Sequence, residues 1–172
     1  MNNMQYSFRK ATEKDLNQVW DILQDAIKRR REEGSNQWQD GYPNAEVIQK
    51  DVEKDGGYVL TDGETIAGYC AIFINDEPEY ANIKGEWLTD GDFVLYHRVA
   101  ISEKYLGQGL AQRMLRHVED FARTSNIWSV KADTNFDNIG MLRIFEKMGY
   151  TYCGEVTFRG SARKAFEKVL DE

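Results

Sequence analysis

Apolar and polar residues alternate over Tyr6 to Lys10, the period of a short strand with one buried face. Thr12-Glu13-Lys14-Asp15 then reads as a helix start, with Thr12 as N-cap and Asp15 three residues on. Leu16, Val19, Trp20, Leu23 and Ile27 follow at spacings of three and four, one apolar face of a helix. That helix ends in KRRREEG, where basic side chains suit the negative end of the dipole and Gly34 suits the stop. Residues 35–43 read as a loop, and Pro43 is placed to open a second helix through Val47, Ile48 and Val52. GYVLT and TIAGYCAIFI flank Asp62-Gly63 and predict a hairpin turning there. Glu77 to Asp92 is irregular and acidic, with Trp87 as its main apolar anchor. Phe93 to Ile101, FVLYHRVAI, has the composition of a central strand. Met114, Leu115, Val118, Phe121 and Ala122 trace a third helix, IWSVKAD a further strand, and Met141, Leu142, Phe145 and Met148 a fourth helix stopped by Gly149. Strands over Thr151 to Phe158 and Ala162 to Val169 close the series. The order predicts a mixed α/β sheet with helices on its faces, in one domain spanning 1–172.

Composition narrows the classes of function. The 172 residues carry a formal charge of −7, against the basic surface that a general nucleic-acid binder needs. No apolar run approaches the roughly 20 residues that span a bilayer, and the first ten residues lack the pattern of a secretory signal. A cytoplasmic location is the expectation, with no membrane or nucleic-acid partner. Cys70 and Cys153 have neither CxxC spacing nor a histidine pair near them, so no disulfide framework and no metal site is expected.

The chemistry concentrates in VAISEKYLGQGLAQRML. A strand enters a turn containing Gly107 and Gly109, and a helix starts at once, so its unpaired N–H groups offer a site for phosphate. Turns use glycine for their own sake, and this segment alone leaves that reading open. A Walker loop would need Gly-Lys-Ser/Thr where Gly109 is followed by Leu110 and Ala111, and a dinucleotide fingerprint would need glycine at Gln112. Lys104-Tyr105-Leu106-Gly107-Gln108-Gly109 instead resembles the Gln/Arg-x-x-Gly-x-Gly/Ala pyrophosphate loop of the GNAT superfamily of N-acetyltransferases, departing from it at Lys104 and Leu106. Asn138 to Tyr150, NIGMLRIFEKMGY, resembles that family's Asn-x-x-Ala-x-x-Leu-Tyr-Glu-Lys-x-Gly-Phe block.

The resemblance implies a central, mostly antiparallel sheet of about six or seven strands flanked by about four helices. It implies acetyl-CoA as cosubstrate, its pyrophosphate on the backbone of Leu106, Gly107, Gln108, Gly109, Leu110 and Ala111 beside Lys104. Its pantetheine arm would run along the main chain of Val99, Ala100 and Ile101, with Asn138 bonding that arm or a phosphate while also capping its helix. The implied activity moves acetyl from acetyl-CoA to a primary amine, that of a small molecule, by direct attack in a ternary complex. Acetylation of protein amines and a catalytically weak CoA-binding module with a regulatory role are the alternatives. Homodimers occur in such families, and no exposed apolar stripe in the sequence marks an interface.

Acetylating an amine requires a base to free its lone pair. His97 is the candidate, because imidazole exchanges protons near neutrality and alternation would place it on one face with Val99, Arg98 pointing away toward a carboxylate. Asp92 and Glu86 are the alternatives through water. His117 is expected at the surface, and Tyr150 and Cys153 in the core. The family's acid is a tyrosine on the fourth helix, and Phe145 stands there. Trp38, Tyr42, Tyr80 and Trp87 are the expected lining of the acceptor site, within an acidic rim that includes Glu77 and Asp90.

Overall fold

The structure, a computed structural model, describes residues 5–171. Four helices form: α1 (Leu16–Glu32), α2 (Ala45–Glu53), α3 (Leu110–Thr124) and α4 (Ile139–Lys147). Asp15 accepts the Thr12 N–H at 2.8 Å, and a short 3-10 turn at Glu13–Asp15 leads into α1. The buried stripe of α1 is Val19, Ile22, Leu23 and Ala26, while Leu16, Trp20 and Ile27 flank it half-buried. The stripe is thus centred about one position away from the expected face. Gly34, at φ +82°, stops the helix in the left-handed conformation that glycine adopts without strain. Asn44, and not Pro43, opens α2: its side chain accepts the Val47 N–H at 3.0 Å.

Among the described residues eight strands are present, one or two more than expected: β1 (Tyr6–Lys10), β2 (Gly57–Asp62), β3 (Thr65–Ile74), β4 (Lys84–Gly85), β5 (Val94–Ile101), β6 (Ser129–Thr134), β7 (Thr151–Phe158) and β8 (Ser161–Val169). They join one sheet in the order β1-β2-β3-β5-β6-β8-β7-β4. The β2–β3 hairpin turns at Gly63-Glu64, with Asp62 paired to Thr65, one residue later than the sequence suggests. The β1–β2, β2–β3, β4–β7, β6–β8 and β7–β8 pairings are antiparallel. Strands β5 and β6 pair in parallel at Val94↔Val130 and Leu95↔Lys131.

The chain forms two compact units, one comprising residues up to Ile72 with Arg98–His117, the other Phe73–His97 with the residues from Val118 onward. In the first, α1 and α2 cover β2 and β3 with Val19, Leu23, Ile48, Val59 and Tyr69, all almost wholly buried. Each such side chain stabilises the fold by about 1.5–3 kcal/mol relative to exposure. Inside this apolar layer Arg98 bonds Asp51 through Nε at 2.8 Å and through a second nitrogen at 2.5 Å, and Tyr69 donates to the same carboxylate at 2.7 Å. A planar guanidinium matched to both carboxylate oxygens is what makes a buried charge pair tolerable. The second unit buries Tyr80, Leu95, Val156 and Ala165, with Phe73, Ile83, Trp87, Phe93 and Phe158 packed around them. Among the described residues no helix is long and apolar enough to cross a membrane.

Candidate functional site

In the first unit, the chain leaves β5 through a 3-10 turn at Glu103–Tyr105 and reaches α3 at Leu110. Gly107 and Gly109 stand at φ +77° and +72°, and nothing lies within 4 Å of where a Cβ would sit on either. The loop is held from behind by its side chains. Tyr105 donates to Asp62 at 2.8 Å, Tyr6 donates to the Gln108 side chain at 3.2 Å, and Arg29 donates to the Ile101 carbonyl at 3.2 Å. Side-chain bracing on one side and bare glycine backbone on the other make a cradle that a phosphate can enter. Lys104, Leu106, Gly107, Gln108 and Gly109 are exposed, Ala111 is half-buried, and Val99, Ala100, Ile101 and Leu110 are buried. Those buried four can offer only main-chain groups, and the Ile101 carbonyl already receives Arg29.

Arg98 stands at φ +58°, a left-handed residue within a strand. The alternation expected to set His97 and Val99 on one face is interrupted there. Arg98 does pair with a carboxylate, that of Asp51, and also donates to the Tyr42 hydroxyl. Tyr42 is therefore engaged by this pair, and Trp38, only 5% exposed, lies under the Arg30 guanidinium at 4.4 Å. His117, expected at the surface, is half-buried and stacked on Phe8 with ring centroids 4.7 Å apart.

The second unit carries an open cleft of about 710 Å³ in the stretch between β3 and β5. Asn75 closes that stretch at its base: its side chain accepts the Phe93 N–H at 2.9 Å and donates to Asp92 at 3.0 Å. Asp92 is thereby exposed and engaged in closing the loop. Tyr80 is the pin at the centre. Its hydroxyl donates to Asp133 at 2.6 Å, its carbonyl accepts the Trp87 indole N–H at 2.8 Å, and burial drives its phenol far above the ordinary range. Of the four aromatic residues expected to line an acceptor site, Tyr80 and Trp87 line this cleft and Trp38 and Tyr42 do not; Glu86, a candidate base, lines it as well.

His97 meets Glu77, its Nε2 lying 3.0 Å from a carboxylate oxygen, and both side chains are largely enclosed. Glu77 itself borders the cleft, whereas His97 is not among the lining residues. The sequence placed Glu77 only in an acidic rim; twenty positions separate it from His97, and nothing local announces the contact. Lys131, on β6, was likewise missed. It lines the cleft while being only 3% exposed, with its ammonium 4.4 Å from the Trp87 ring and 4.1 Å from the Phe93 ring. Burial lowers its pKa.

At α4, Asn138 accepts the Met141 N–H at 3.1 Å, the capping role expected of it. Phe145 is 1% exposed against Tyr150 and Phe166. Tyr150 is buried and bonded to the Tyr96 hydroxyl at 3.1 Å, and burial raises both its phenol and the Cys153 thiol. Neither is placed as a ready proton donor.

Residues 17–150 match the family model described as the acetyltransferase (GNAT) family. The chain belongs to the GNAT acetyltransferases. A GNAT-family acetyltransferase structure from Streptococcus agalactiae 2603 is 32% identical, covers 97% of this chain and 96% of its own, and superposes with a TM-score of 0.89. An uncharacterized N-acetyltransferase of Bacillus subtilis, YesJ, is 24% identical over 164 residues, 93% of this chain and 88% of that protein. The fold is shared too with yncA of Salmonella typhimurium, solved with its cofactor acetyl-CoA, at 16% identity, 98% and 95% coverage and a TM-score of 0.69. The GNAT fold thus accounts for the order of strands and helices described above.

Proposed function

We propose that residues 1–172 work as one acetyl-CoA-dependent N-acetyltransferase domain acting on the primary amine of a small molecule, by direct attack in a ternary complex. The observation that carries the cosubstrate is the open cradle at Gly107 and Gly109, braced from behind by Tyr6, Tyr105 and Asp62. The residues fit the group: the backbone N–H groups of 106–111 would hold a pyrophosphate, and the main chain of Val99–Ile101 would meet the pantetheine arm. When bound, acetyl-CoA supplies an acetyl group activated as a thioester.

The chain's own residues do the rest. An ammonium has no lone pair, so a base must remove a proton before the nitrogen can attack. His97 is that base. With Nε2–H donated to Glu77, Nδ1 keeps the lone pair that accepts the proton, and the carboxylate then stabilises the imidazolium. Glu77 acts as a positioning residue, fixing the tautomer. Glu86 and Asp90, also on the cleft, raise the local concentration of a cationic amine. Phe145 offers no proton, so the CoA sulfur would leave as the thiolate and take its proton from solvent.

That same Phe145 favours a second reading, a CoA-binding module with little turnover. Two measurements separate the readings: calorimetry with acetyl-CoA, and thiol release across a panel of small primary amines. Binding with turnover supports the enzyme, binding without turnover supports the module, and absence of binding removes both.

A further inference from the structure

Lys131 is an almost wholly buried lysine whose ammonium reaches the cleft without a hydrogen bond to fix it. No hydrogen bond or ion pair joins its ammonium to a described residue; it lies over the rings of Trp87 and Phe93 and faces the cleft. Its neighbour across the β6–β8 pairing is Glu167, the natural partner. The Glu167 carboxylate attracts the ammonium through space but makes no bond to it, because its oxygens accept the Leu88 N–H at 2.7 Å, the Thr89 hydroxyl at 2.5 Å and the Ser129 hydroxyl at 2.6 Å. An ammonium attracted through space but bonded to nothing leaves its three N–H donors unsatisfied, which is costly unless a ligand accepts them. Ring faces offset only part of that cost.

The rest of the cleft is charged the other way, with Glu77, Glu86 and Asp90 around it. An anion alone would meet those three carboxylates; an amine alone would leave Lys131 unanswered. One kind of small molecule answers both. We propose that Lys131 binds a carboxylate of the acceptor, and that the acceptor is amino-acid-like, a primary amine that also carries a carboxylate. The aromatic walls, Trp87 and Phe93, then receive its apolar portion. This rests on the reading that the protein acetylates small amines, and names their class.

The test compares three matched pairs that differ only by the carboxylate: phenylalanine and phenethylamine, methionine and 3-(methylthio)propylamine, leucine and isopentylamine. Binding is measured by calorimetry with the full chain, and acetyl transfer by thiol release. At least one carboxylated member should bind at least tenfold tighter than its partner, and Lys131→Met should erase that preference while Lys131→Arg keeps it. Equal binding within every pair on the wild-type protein overturns the proposal whether or not the variants fold. So does a preference that survives in folded Lys131→Met. A preference in binding without acetyl transfer to any member leaves Lys131 as the anchor and overturns the acetylation reading instead, so the two failures are distinguishable.

Discussion

Gly85 and Gly154 face each other across the β4–β7 pairing with no room for a side chain on either. A Cβ on Gly85 would lie 2.2 Å from the Cys153 carbonyl oxygen, and one on Gly154 2.2 Å from that of Lys84. Both residues also sit at positive φ, +140° and +141°, which side chains disfavour. Gly154→Ala should therefore pull β4 off the sheet, with a stability loss of about 1–3 kcal/mol. The Glu86 amide, bonded to the Cys153 carbonyl at 3.0 Å, should exchange its hydrogen faster. Unchanged urea midpoint and unchanged exchange at Glu86 would show that the strand tolerates the methyl group.

At the glycine loop, Gly109→Val puts a branched side chain on a left-handed residue and fills the open side of the cradle. Acetyl-CoA affinity should fall at least tenfold; the far-ultraviolet spectrum should stay that of a folded protein, while the strained valine lowers the stability read from the urea midpoint by about 1–2 kcal/mol. Calorimetry decides it: equal affinity places the cosubstrate elsewhere.

His97→Gln should lower turnover by about 10²–10⁴-fold, the usual loss on removing a general base, with acetyl-CoA affinity unchanged. Glu77→Gln keeps the contact but removes the charge opposite Nε2, so it should lower turnover less and alter the shape of the rate-against-pH curve. Wild-type turnover in folded His97→Gln would end the assignment and turn attention to Glu86.

The Arg9 fork and the Thr12 N–H hold the Asp15 carboxyl below its ordinary value of 3.8. The folded state therefore binds this proton less readily than the unfolded state. The stabilisation is present above about pH 3.8 and is lost as acid drives the pH down through the lower, folded value. Arg9 is nearly half exposed, so solvent screening limits the effect to roughly 1 kcal/mol. Asp15→Asn should be less stable than the parent by about that much at pH 7, and the gap should close toward pH 3. A gap independent of pH would mean that the charge is not what matters.

The periodic parts of this fold were legible. Strands β7 and β8 announce themselves by alternation, and α4 by its apolar spacing and the stop at Gly149, φ +83°. Strand β4 was not, since two residues, Lys84 and Gly85, carry no pattern and are defined by the fit against Gly154. The break at Arg98 has no local signal either, because arginine is no left-handed former; its conformation goes with the buried fork on Asp51, forty-seven positions away. In the candidate site, the glycine turn and the Asn138 cap were readable because both are local, backbone-based features. Glu77 and Lys131 were not. One looks like any acid in an acidic loop, the other like the polar position of an alternating strand, and only the fold shows one meeting His97 and the other turned into a cleft.

Glu167 fastens the Leu88–Thr89 wall of the cleft from β8, and Tyr80 is fastened to Asp133 on β6. During synthesis the 75–93 stretch leaves the ribosome well before either partner. Its shape must wait for residues 133 and 167, so the pocket matures late, after its own lining has been made. A nascent chain halted short of β8 would carry the glycine cradle in full and a cleft with one wall unattached.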